Sequence, residues 1–551
     1  MTNKFTEIEK AKPFTLTENG AYTLTTTGSE NTDQFGKAGS YRNRNIYDVF
    51  DEQSKAWNEN NEIALRLPFY LRLITRKVRV NSNNETSAVQ NGQGSRDESF
   101  KRLLWIAKEH QDTFNKNIWL LPIVGSWKDL WTLMFYDISM NINAIDRKVI
   151  YELLSYGLQS EAHVDLVKKF MPRIKSSSKI KTDRANILNN LAKELAAYLK
   201  INFSRYNKLK STGNAHTFQK IICAREYDKI NWNNIPGRAL TLLTCGKFLE
   251  RHNLKDSYCQ WLIEQPVAKF TGYPYELLKI YRNKLLSHNY SYDVPFEVKH
   301  TLDAQFKGLV EQARSDKKIT ENVWCCLDTS SSMNSQVNGL NNVTCKDIAI
   351  SLALFFAELN TGAFHNKILM FDDTSTFYSI EDESFCDRIK NLPRVMAGGT
   401  NFQSAVEEIV NVRKNNPDIP LEDYPTTILV VSDMEFNSIN SWRSLNNRTE
   451  KNETNFERSK NSLKEVFPAE FVDNMKFIWW DCCSRYGTNH FEGDSITSGC
   501  TFFSGFDGSI INMILGNTMV IDEKSGKTRQ MTAEEMMLKA LNQEILRYLE
   551  V

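Results

Sequence analysis

The residues best suited to chemistry follow a short apolar run. The run from Val323 to Leu327 is typical of a buried strand, and it leads into Asp328, Ser330 and Ser332 in the pattern Asp-x-Ser-x-Ser. A carboxylate and two hydroxyls at the end of a strand are hard oxygen ligands, which suit a small divalent cation, with Mg²⁺ as the first candidate. The pattern alone is weak, because average composition produces it by chance about 0.1–0.2 times in a chain of this length.

Two downstream features strengthen the metal interpretation. Gly398 and Gly399 precede Thr400 just before a predicted helix, and their lack of side chains lets the backbone approach closely and present the threonine hydroxyl. A second apolar strand, 426–432, is followed by Asp433. In an open parallel sheet, ligands bind at the carboxyl ends of strands near a switch point. We therefore expect these residues to meet, with Glu435 as a further acid that could support them.

The order and context of these residues resemble the metal-ion-dependent adhesion site of von Willebrand factor A domains. The resemblance implies that Ser330, Ser332 and, directly or through water, Thr400 coordinate Mg²⁺ or another divalent cation. It implies that Asp328 and Asp433 act largely through bound waters, which leaves a coordination position for an acidic group of a partner protein. The alternative is a metal-free domain in which the hydroxyls cap helix 344–359 and the chain turns.

The elements that must position these residues form two kinds of pattern. After about residue 320, strand-like runs at 323–328, 367–372, 426–432, 475–481 and 500–504 alternate with helical runs at 344–359, 402–414, 457–467 and 508–516. That alternation predicts an α/β, Rossmann-like domain whose mostly parallel sheet is covered by helices on both faces. A final amphipathic helix is predicted over 532–549.

Upstream, helical patterns recur from about residue 45 to 315 without a convincing strand. They predict an all-α domain of stacked helix pairs, a HEAT-like solenoid that could close into a ring. The chain is thus expected to be multidomain. We predict an irregular N-terminal arm over 1–44, an α-helical repeat domain over 45–319, and an A-type domain with a C-terminal helix over 320–551.

The charge is divided between the two halves. Residues 1–320 hold 48 Lys and Arg against 34 Asp and Glu, whereas 321–551 hold 20 against 33, so the net charge of +1 conceals an excess of 14 positive and 13 negative charges. A basic domain beside an acidic one suggests a polyanionic partner for the first. Docking of the two halves on each other is the alternative.

Two stretches concentrate the positive charge. The first spans 168–184, the second 203–210, and each places aromatic residues among its cations. Mobile cations contact phosphates, and exposed aromatic rings stack on unpaired bases, so we predict RNA contacts here; the alternative for each stretch is a solvated helix face. The predicted RNA-binding residues are Lys168, Lys169, Arg173, Lys175, Lys179, Lys181, Arg184, Arg205, Lys208 and Lys210.

A helical repeat domain joined to an A-type domain resembles the Ro60 (TROVE-module) architecture, and is closer still to a little-characterised related group that phages and bacteria also encode. The segments that carry this resemblance are LLPIVGSWKDL (120–130), KFMPR (169–173), RYNK (205–208) and VSDMEF (431–436). The resemblance implies a ring of HEAT-like helices closed by the A domain, and a ribonucleoprotein that binds small structured or misfolded RNA.

Several function classes find no support in the sequence. There is no recognisable Ser-His-Asp, Cys-His or phosphate-loop constellation, so we expect no enzyme. No apolar window is long enough to span a membrane, and the start lacks the apolar core of a signal peptide. The ten cysteines lack zinc or disulfide-framework spacing, which favours buried thiols in the cytoplasm. We expect a monomeric, cytoplasmic RNA-binding protein; the alternative is a metal-dependent protein-interaction scaffold without RNA.

Overall fold

The computed structural model describes residues 14–73, 76–79, 86–90, 92–211, 217–265, 267–270, 272–287, 294–316, 321–337, 340–382, 384–393, 398–438, 453–483, 490–506, 518–522 and 526–551. Its contacts divide the chain into two compact units. The α/β unit comprises Met1–Asn43 and Ile235–Ala540, and the helical unit comprises Arg44–Asn234 and Leu541–Val551.

The chain begins with a hairpin and a helix that belong to the α/β unit. Strands β1 (Phe14–Leu16) and β2 (Tyr22–Leu24) pair in antiparallel fashion, and helix α1 (Glu30–Lys37) follows. Nearly every residue of α1 is buried, and Phe35 packs edge-on against Phe503 of the central sheet. The prediction of an irregular arm over 1–44 is therefore wrong for the hairpin and α1. Their apolar residues pack against residues more than 400 positions away, and no local pattern reveals such contacts.

The helical unit contains eleven described helices and a small hairpin. The helices are α2 (Ile46–Glu59), α3 (Asn61–Arg72), α4 (Asp97–Glu109), α5 (Gln111–Asn117), α6 (Leu121–Val124), α7 (Trp127–Ser139), α8 (Arg147–Gln159), α9 (Val164–Phe170), α10 (Asp183–Tyr198), α11 (Phe203–Ser211) and α12 (Thr217–Ala224). The hairpin pairs β3 (Arg76–Arg79) with β4 (Thr86–Gln90). The core of the helical unit is formed by apolar stripes on successive helices, as the periodicity predicts.

Five more helices precede the central sheet: α13 (Gly237–Cys245), α14 (Phe248–Arg251), α15 (Lys255–Glu264), α16 (Pro274–Ser287) and α17 (Phe296–Asp316). They group with the sheet rather than with the earlier helices, so the chain divides at different positions from the predicted domain boundary at 319. Specific contacts explain this grouping. Phe306 of α17 stacks on Phe385 with ring centroids 4.2 Å apart, and Arg282 of α16 forms an ion pair with Asp347.

The central sheet has six strands in the order β10-β9-β8-β5-β6-β7. They are β5 (Val323–Asp328), β6 (Lys367–Phe371), β7 (Ser375–Ser379), β8 (Thr427–Ser432), β9 (Lys476–Asp481) and β10 (Cys500–Ser504). All neighbours are parallel except β7, which pairs antiparallel with β6 at the edge. The order reverses between β5 and β8, so the switch point of this doubly wound sheet lies between those two strands.

Helices complete the α/β unit: α18 (Cys345–Leu359), α19 (Phe385–Asn391), α20 (Phe402–Asn415), α21 (Asn455–Leu463), α22 (Ala469–Asp473) and α23 (Ala533–Leu541). A second small hairpin pairs β11 (Met519–Ile521) with β12 (Thr528–Gln530). The predicted sequence of a helical region followed by a mostly parallel α/β sheet is confirmed. Among the described residues, no helix is both long and apolar enough to cross a membrane.

Two predicted helices need comment. The final helix was expected over 532–549, but α23 ends at Leu541, and a single 3-10 turn, Glu544–Leu546, follows. The segment after α23 instead contacts the helical unit, where the Asn117 side chain bonds to the backbone of Glu550. The helix predicted over 508–516 lies outside the described residues.

Candidate metal centre and nucleic-acid interface

Asp328 stands at the switch point of the sheet. It is the last residue of β5 and is fully buried. Its carboxylate accepts hydrogen bonds from the Ser330 N–H (2.9 Å) and from the hydroxyl of Ser432, the last residue of the neighbouring β8. The ends of the two strands on either side of the switch point are thus joined through one buried carboxylate.

The two serine hydroxyls of the motif lie side by side. The Oγ atoms of Ser330 and Ser332 are 3.0 Å apart, and Ser330 is almost fully buried. Between them, Ser331 donates from its N–H and its hydroxyl to the Gly398 carbonyl, at 3.2 and 3.1 Å. The Asp-x-Ser-x-Ser loop is therefore tied directly to the glycine-containing loop that carries Thr400.

Thr400 is held by Asn437, a residue that no motif or spacing in the sequence singles out. The Thr400 N–H donates to the Asn437 side-chain oxygen (3.0 Å), and the Asn437 N–H donates to the Thr400 carbonyl (2.8 Å). Gly399 makes this approach possible, because a Cβ there would lie 2.4 Å from the Asn437 side-chain nitrogen and 2.5 Å from an Asp373 carboxylate oxygen. The expected role of Gly399 in close backbone approach is confirmed by this geometry.

Asp433 follows β8 and is buried. Its Oδ1 accepts from the Glu435 N–H at 3.4 Å. Between them, Met434 adopts a φ of +65°, a left-handed conformation that is uncommon for a residue with a side chain and concentrates at functional sites. The Met434 N–H donates to the Ser432 hydroxyl (3.0 Å), so the turn is fixed by the same serine that contacts Asp328.

The electrostatics of this cluster favour a cation. Burial and the negative charge of Asp433 together raise the pKa of Asp328 to about 7, although the hydrogen bonds from Ser432 and Ser330 lower it. Lys346 lies near enough for Asp328 and Asp372 to favour its charged form, although burial lowers the pKa of this lysine overall. A divalent cation would relieve the repulsion between the two carboxylates.

The donors also fit a hard cation. We call Asp328, Ser330, Ser332, Thr400 and Asp433 the metal edge; all five offer oxygen, which suits Mg²⁺ or Mn²⁺ better than zinc. Over the described ranges, no group of three or more His, Cys, Asp or Glu side chains is placed to hold a metal ion. The hydroxyl-rich metal edge stays the cation site predicted from the sequence, in which Ser330, Ser332 and Thr400 are the predicted donors.

A disulfide lies close to the metal edge. Cys345, the first residue of α18, is bonded to Cys483, two residues beyond β9, with Cα atoms 5.5 Å apart. The prediction of free thiols throughout is wrong for this pair, because residues 138 positions apart in sequence show no framework spacing. The neighbouring Cys482 remains a buried thiol whose Sγ lies 3.3 Å from the Ser432 carbonyl, and burial raises its pKa.

Glu435 faces away from the predicted ligands. Its Oε2 accepts from the Glu18 N–H (2.8 Å), and its Oε1 lies 3.2 Å from His490 Nε2, in a site that excludes nearly all solvent. Glu435 therefore supports the segment that follows β8, and it does so through the N-terminal hairpin and His490.

The ten predicted RNA-binding residues lie on consecutive parts of the helical unit. Lys168 and Lys169 end α9, Arg173 and Lys175 follow it, Lys179 ends the 3-10 turn Ser177–Lys179, Lys181 and Arg184 flank the start of α10, and Arg205, Lys208 and Lys210 lie on α11. We call these ten residues the basic cluster.

The structure joins the two basic stretches. The Asn207 side chain of α11 accepts from the Ile174 N–H (3.0 Å) and donates to the Ile174 carbonyl (2.9 Å). Lys210 donates to the carbonyls of Lys168 and Lys169, at 3.2 and 3.1 Å, and so caps the end of α9. Burial and the nearby charge of Arg173 lower the pKa of Lys210. Residues 168–175 and 205–210 thus form one surface.

Among the described residues, the charges of the basic cluster are not neutralised by ion pairs. Eight of the ten side chains are exposed, and Lys168 and Lys210 are half-buried. None of them forms an ion pair with a described carboxylate, whereas on the same unit Arg147 pairs with Glu194 and Lys229 with Glu226. Arg184 instead lies over the Phe135 ring, 4.9 Å from its centroid.

The aromatic residues of the basic cluster differ in availability. Phe203 is 49% exposed at the start of α11, so its ring is open to stacking. Tyr206 is fully buried, which raises its pKa and removes it from the surface. The expectation that both aromatics of this stretch offer stacking surfaces is therefore wrong for Tyr206, since the helical period turns it into the core.

Comparison with known proteins finds similarity to a protein family, to a viral protein and to a solved structure. Residues 322–547 match the family described as a domain of unknown function (DUF7788). An uncharacterized protein of Acanthamoeba polyphaga mimivirus is 22% identical over 460 residues, which are 77% of this chain and 73% of the viral protein. The crystal structure of the Deinococcus radiodurans Ro (RSR) protein is 15% identical and covers 76% of this chain and 87% of that one, with a TM-score of 0.40. The viral match is longer than the family match, so similarity extends into the helical part.

Proposed function

We propose that this chain is an RNA-binding protein of Ro60 type that contacts small structured or misfolded RNA through the basic cluster. The observation that carries the proposal is the union of residues 168–175 and 205–210 into one surface. None of the ten cations of the basic cluster has a described carboxylate as an ion-pair partner. Release of counterions from RNA phosphates would supply most of the affinity. The exposed Phe203 offers one stacking platform for an unpaired base.

The metal edge serves a separate role in this proposal. Ser330, Ser332 and Thr400, with Asp328 and Asp433, would hold Mg²⁺, and the bound cation would supply a Lewis acid for an acidic group of a partner. The protein's own contribution is to keep these oxygens fixed and mostly buried, through the bonds from Ser432 and Asn437. The proposed function is binding, and no catalytic step is assigned to either site.

Fluorescence anisotropy with a labelled RNA hairpin and a labelled single-stranded RNA tests the proposal. Six to ten phosphate contacts give a slope of log affinity against log salt of about −4 to −7 for a single strand. The proposal predicts such a slope for the full chain in at least one of the two RNAs. Absence of binding at low salt would contradict it.

A metal-dependent protein-interaction scaffold is the second candidate. It is favoured by the observation that the residues of the metal edge belong to the α/β unit, whereas the basic cluster belongs to the helical unit. Either site could therefore act alone. Purification of the chain from its host separates the two candidates: an absorbance ratio that indicates bound RNA supports the first, and a stoichiometric protein partner without RNA supports the second.

A further inference from the structure

The N-terminal hairpin reaches the metal edge through a short turn. The turn spans residues 17–20, between β1 and β2. The Thr17 hydroxyl donates to the Phe436 carbonyl (2.5 Å), and the Asn19 side-chain nitrogen donates to the Glu435 carbonyl (2.7 Å). Thr17 is buried, so its hydroxyl bond is protected from water. These bonds join residues separated by more than 400 positions in sequence.

Two further contacts continue the junction. The Ser438 N–H donates to the Asn19 carbonyl (2.7 Å), and Gly20 forms an isolated antiparallel bridge with Asn437. Gly20 has a φ of +86°, and a Cβ at this position would lie 3.3 Å from the Ser438 Cβ. The turn therefore requires glycine at this point, because both its backbone conformation and its close approach disfavour a side chain.

The turn contacts the segment 433–438. This segment contributes one residue of the metal edge and forms hydrogen bonds to another. Asp433 begins the segment, and Asn437 within it forms the paired bonds to Thr400. Between these two residues, the chain has no regular helix or strand that would fix it. Hydrogen bonds from the N-terminal turn are thus among the main contacts that set its position.

We infer that Thr17 and Asn19 are positioning residues of the cation site. By holding the 433–438 segment, they place Asp433 and, through Asn437, Thr400 at the distance that the cation requires. This inference rests on the proposed cation binding at the metal edge. It assigns to the N-terminal hairpin a role in cation affinity that the sequence motif alone does not contain.

Titration of the full chain with Mn²⁺, followed by electron paramagnetic resonance, tests the inference. Thr17→Val removes the hydroxyl while keeping the shape, and Asn19→Ala removes the side-chain donor. Loss of an outer hydrogen-bond partner weakens metal sites by about 10- to 100-fold when it touches a ligand directly. We expect a loss of about 3- to 10-fold for each variant here, because these residues act one layer further out. Thr17→Ser, which keeps the hydroxyl, should retain affinity within about twofold.

Thr23→Val is the matched control. Thr23 is a fully buried threonine of the same hairpin whose hydroxyl donates to the Phe491 carbonyl (2.9 Å), away from the 433–438 segment. It should lower thermal stability as Thr17→Val does and leave Mn²⁺ affinity unchanged. Equal losses of affinity in the two variants would overturn the inference, because they would reflect general destabilisation.

The remaining outcomes separate this inference from the proposed function. If the wild-type chain binds Mn²⁺, and both variants, Thr17→Val and Asn19→Ala, bind it with the same affinity, the positioning role is refuted. The cation site then stands. If the wild-type chain binds no Mn²⁺, both the cation site and the positioning role are refuted.

Discussion

The metal edge and the basic cluster differ in charge, in burial and in how firmly their side chains are held. At the metal edge, negative and polar oxygens are buried or half-buried, and several are held by hydrogen bonds, as between Asp328 and Ser432. In the basic cluster, positive side chains are exposed and lack described carboxylate partners. A small cation demands fixed ligands, whereas a flexible polyanion can be met by mobile charges whose effect is long-ranged and screened by salt. The two regions should therefore respond to different perturbations.

The largest effect is expected from Asp328→Asn. It removes a buried carboxylate charge while keeping its shape, and we expect Mn²⁺ affinity to fall about 100-fold, as for the loss of a direct support of a metal site. RNA affinity should not change, because the basic cluster is independent of this carboxylate. Parallel Mn²⁺ titration and RNA anisotropy provide the measurement.

Asp373→Asn is the control for this change. Asp373 lies at the same edge of the sheet and accepts from the Gly399 N–H (2.9 Å), but it is not among the predicted ligands. It should weaken Mn²⁺ binding much less than Asp328→Asn. A common loss of Mn²⁺ and RNA affinity in Asp328→Asn would break the distinction between the two regions.

An intermediate effect is expected from neutralising part of the basic cluster. The variant replaces four residues by glutamine: Arg173, Lys175, Lys208 and Lys210. Four lost phosphate contacts should reduce the salt slope by about 3 and lower RNA affinity about 10- to 30-fold at moderate salt. Mn²⁺ affinity should remain that of the wild type.

A second variant with the same charge change controls for net charge. It replaces four exposed lysines elsewhere on the helical unit by glutamine: Lys55, Lys108, Lys148 and Lys229. Three of them are paired with acids, so their loss should leave the salt slope nearly unchanged. Equal slopes in both quadruple variants would show that RNA senses only the total charge. Thermal unfolding of both variants checks that the loss of the Lys210 bonds has not unfolded α9.

The smallest effect concerns a buried carboxyl outside both regions. Burial raises the pKa of Glu492 to about 8, although the Asn455 N–H donates to its carboxylate (2.7 Å). Because folding raises this pKa, the contribution of the Glu492 carboxyl group to the free energy of unfolding is complete below about pH 4.5. That contribution is lost as the pH rises through about 8. The unfolding free energy should fall by about 1 kcal/mol per pH unit between pH 6 and 8.

Urea unfolding over that pH range, with and without Glu492→Gln, checks this expectation. The variant should show a flatter pH dependence. Asp33, whose pKa is raised to about 6 by burial, contributes with the same sign at lower pH. An unchanged slope in Glu492→Gln would assign the pH dependence to other groups, the metal edge among them.

Local patterns were sufficient for much of the fold and for the placement of the motif residues at one edge of the sheet. The strands 323–328 and 500–504 match β5 and β10, and the motif residues meet at the switch point because parallel strands end at one edge of the sheet. Local periodicity also predicts that the region from about residue 45 to 315 is mainly helical, as its described part is. These features depend on short-range spacing, which a single sequence contains.

Features that depend on distant partners could not be predicted. Asn437 is one asparagine among many until the fold places it against Thr400, and the Cys345–Cys483 bond likewise joins remote positions. The N-terminal hairpin is likewise held by residues that are remote in sequence, such as Phe436 and Phe491. The burial of Tyr206 could not be predicted for a different reason. Basic residues surround it in the sequence, so the pattern does not indicate that it lies on the inner side of α11.

Cross-linking of RNA to the full chain shows directly whether the basic cluster contacts RNA. A 4-thiouridine-containing RNA would be bound, irradiated and mapped by mass spectrometry of the cross-linked peptides. RNA binding at the basic cluster should give cross-links within residues 168–184 and 203–210, and EDTA should not change them. Cross-links confined to the loops of the metal edge, or abolished by EDTA, would contradict it.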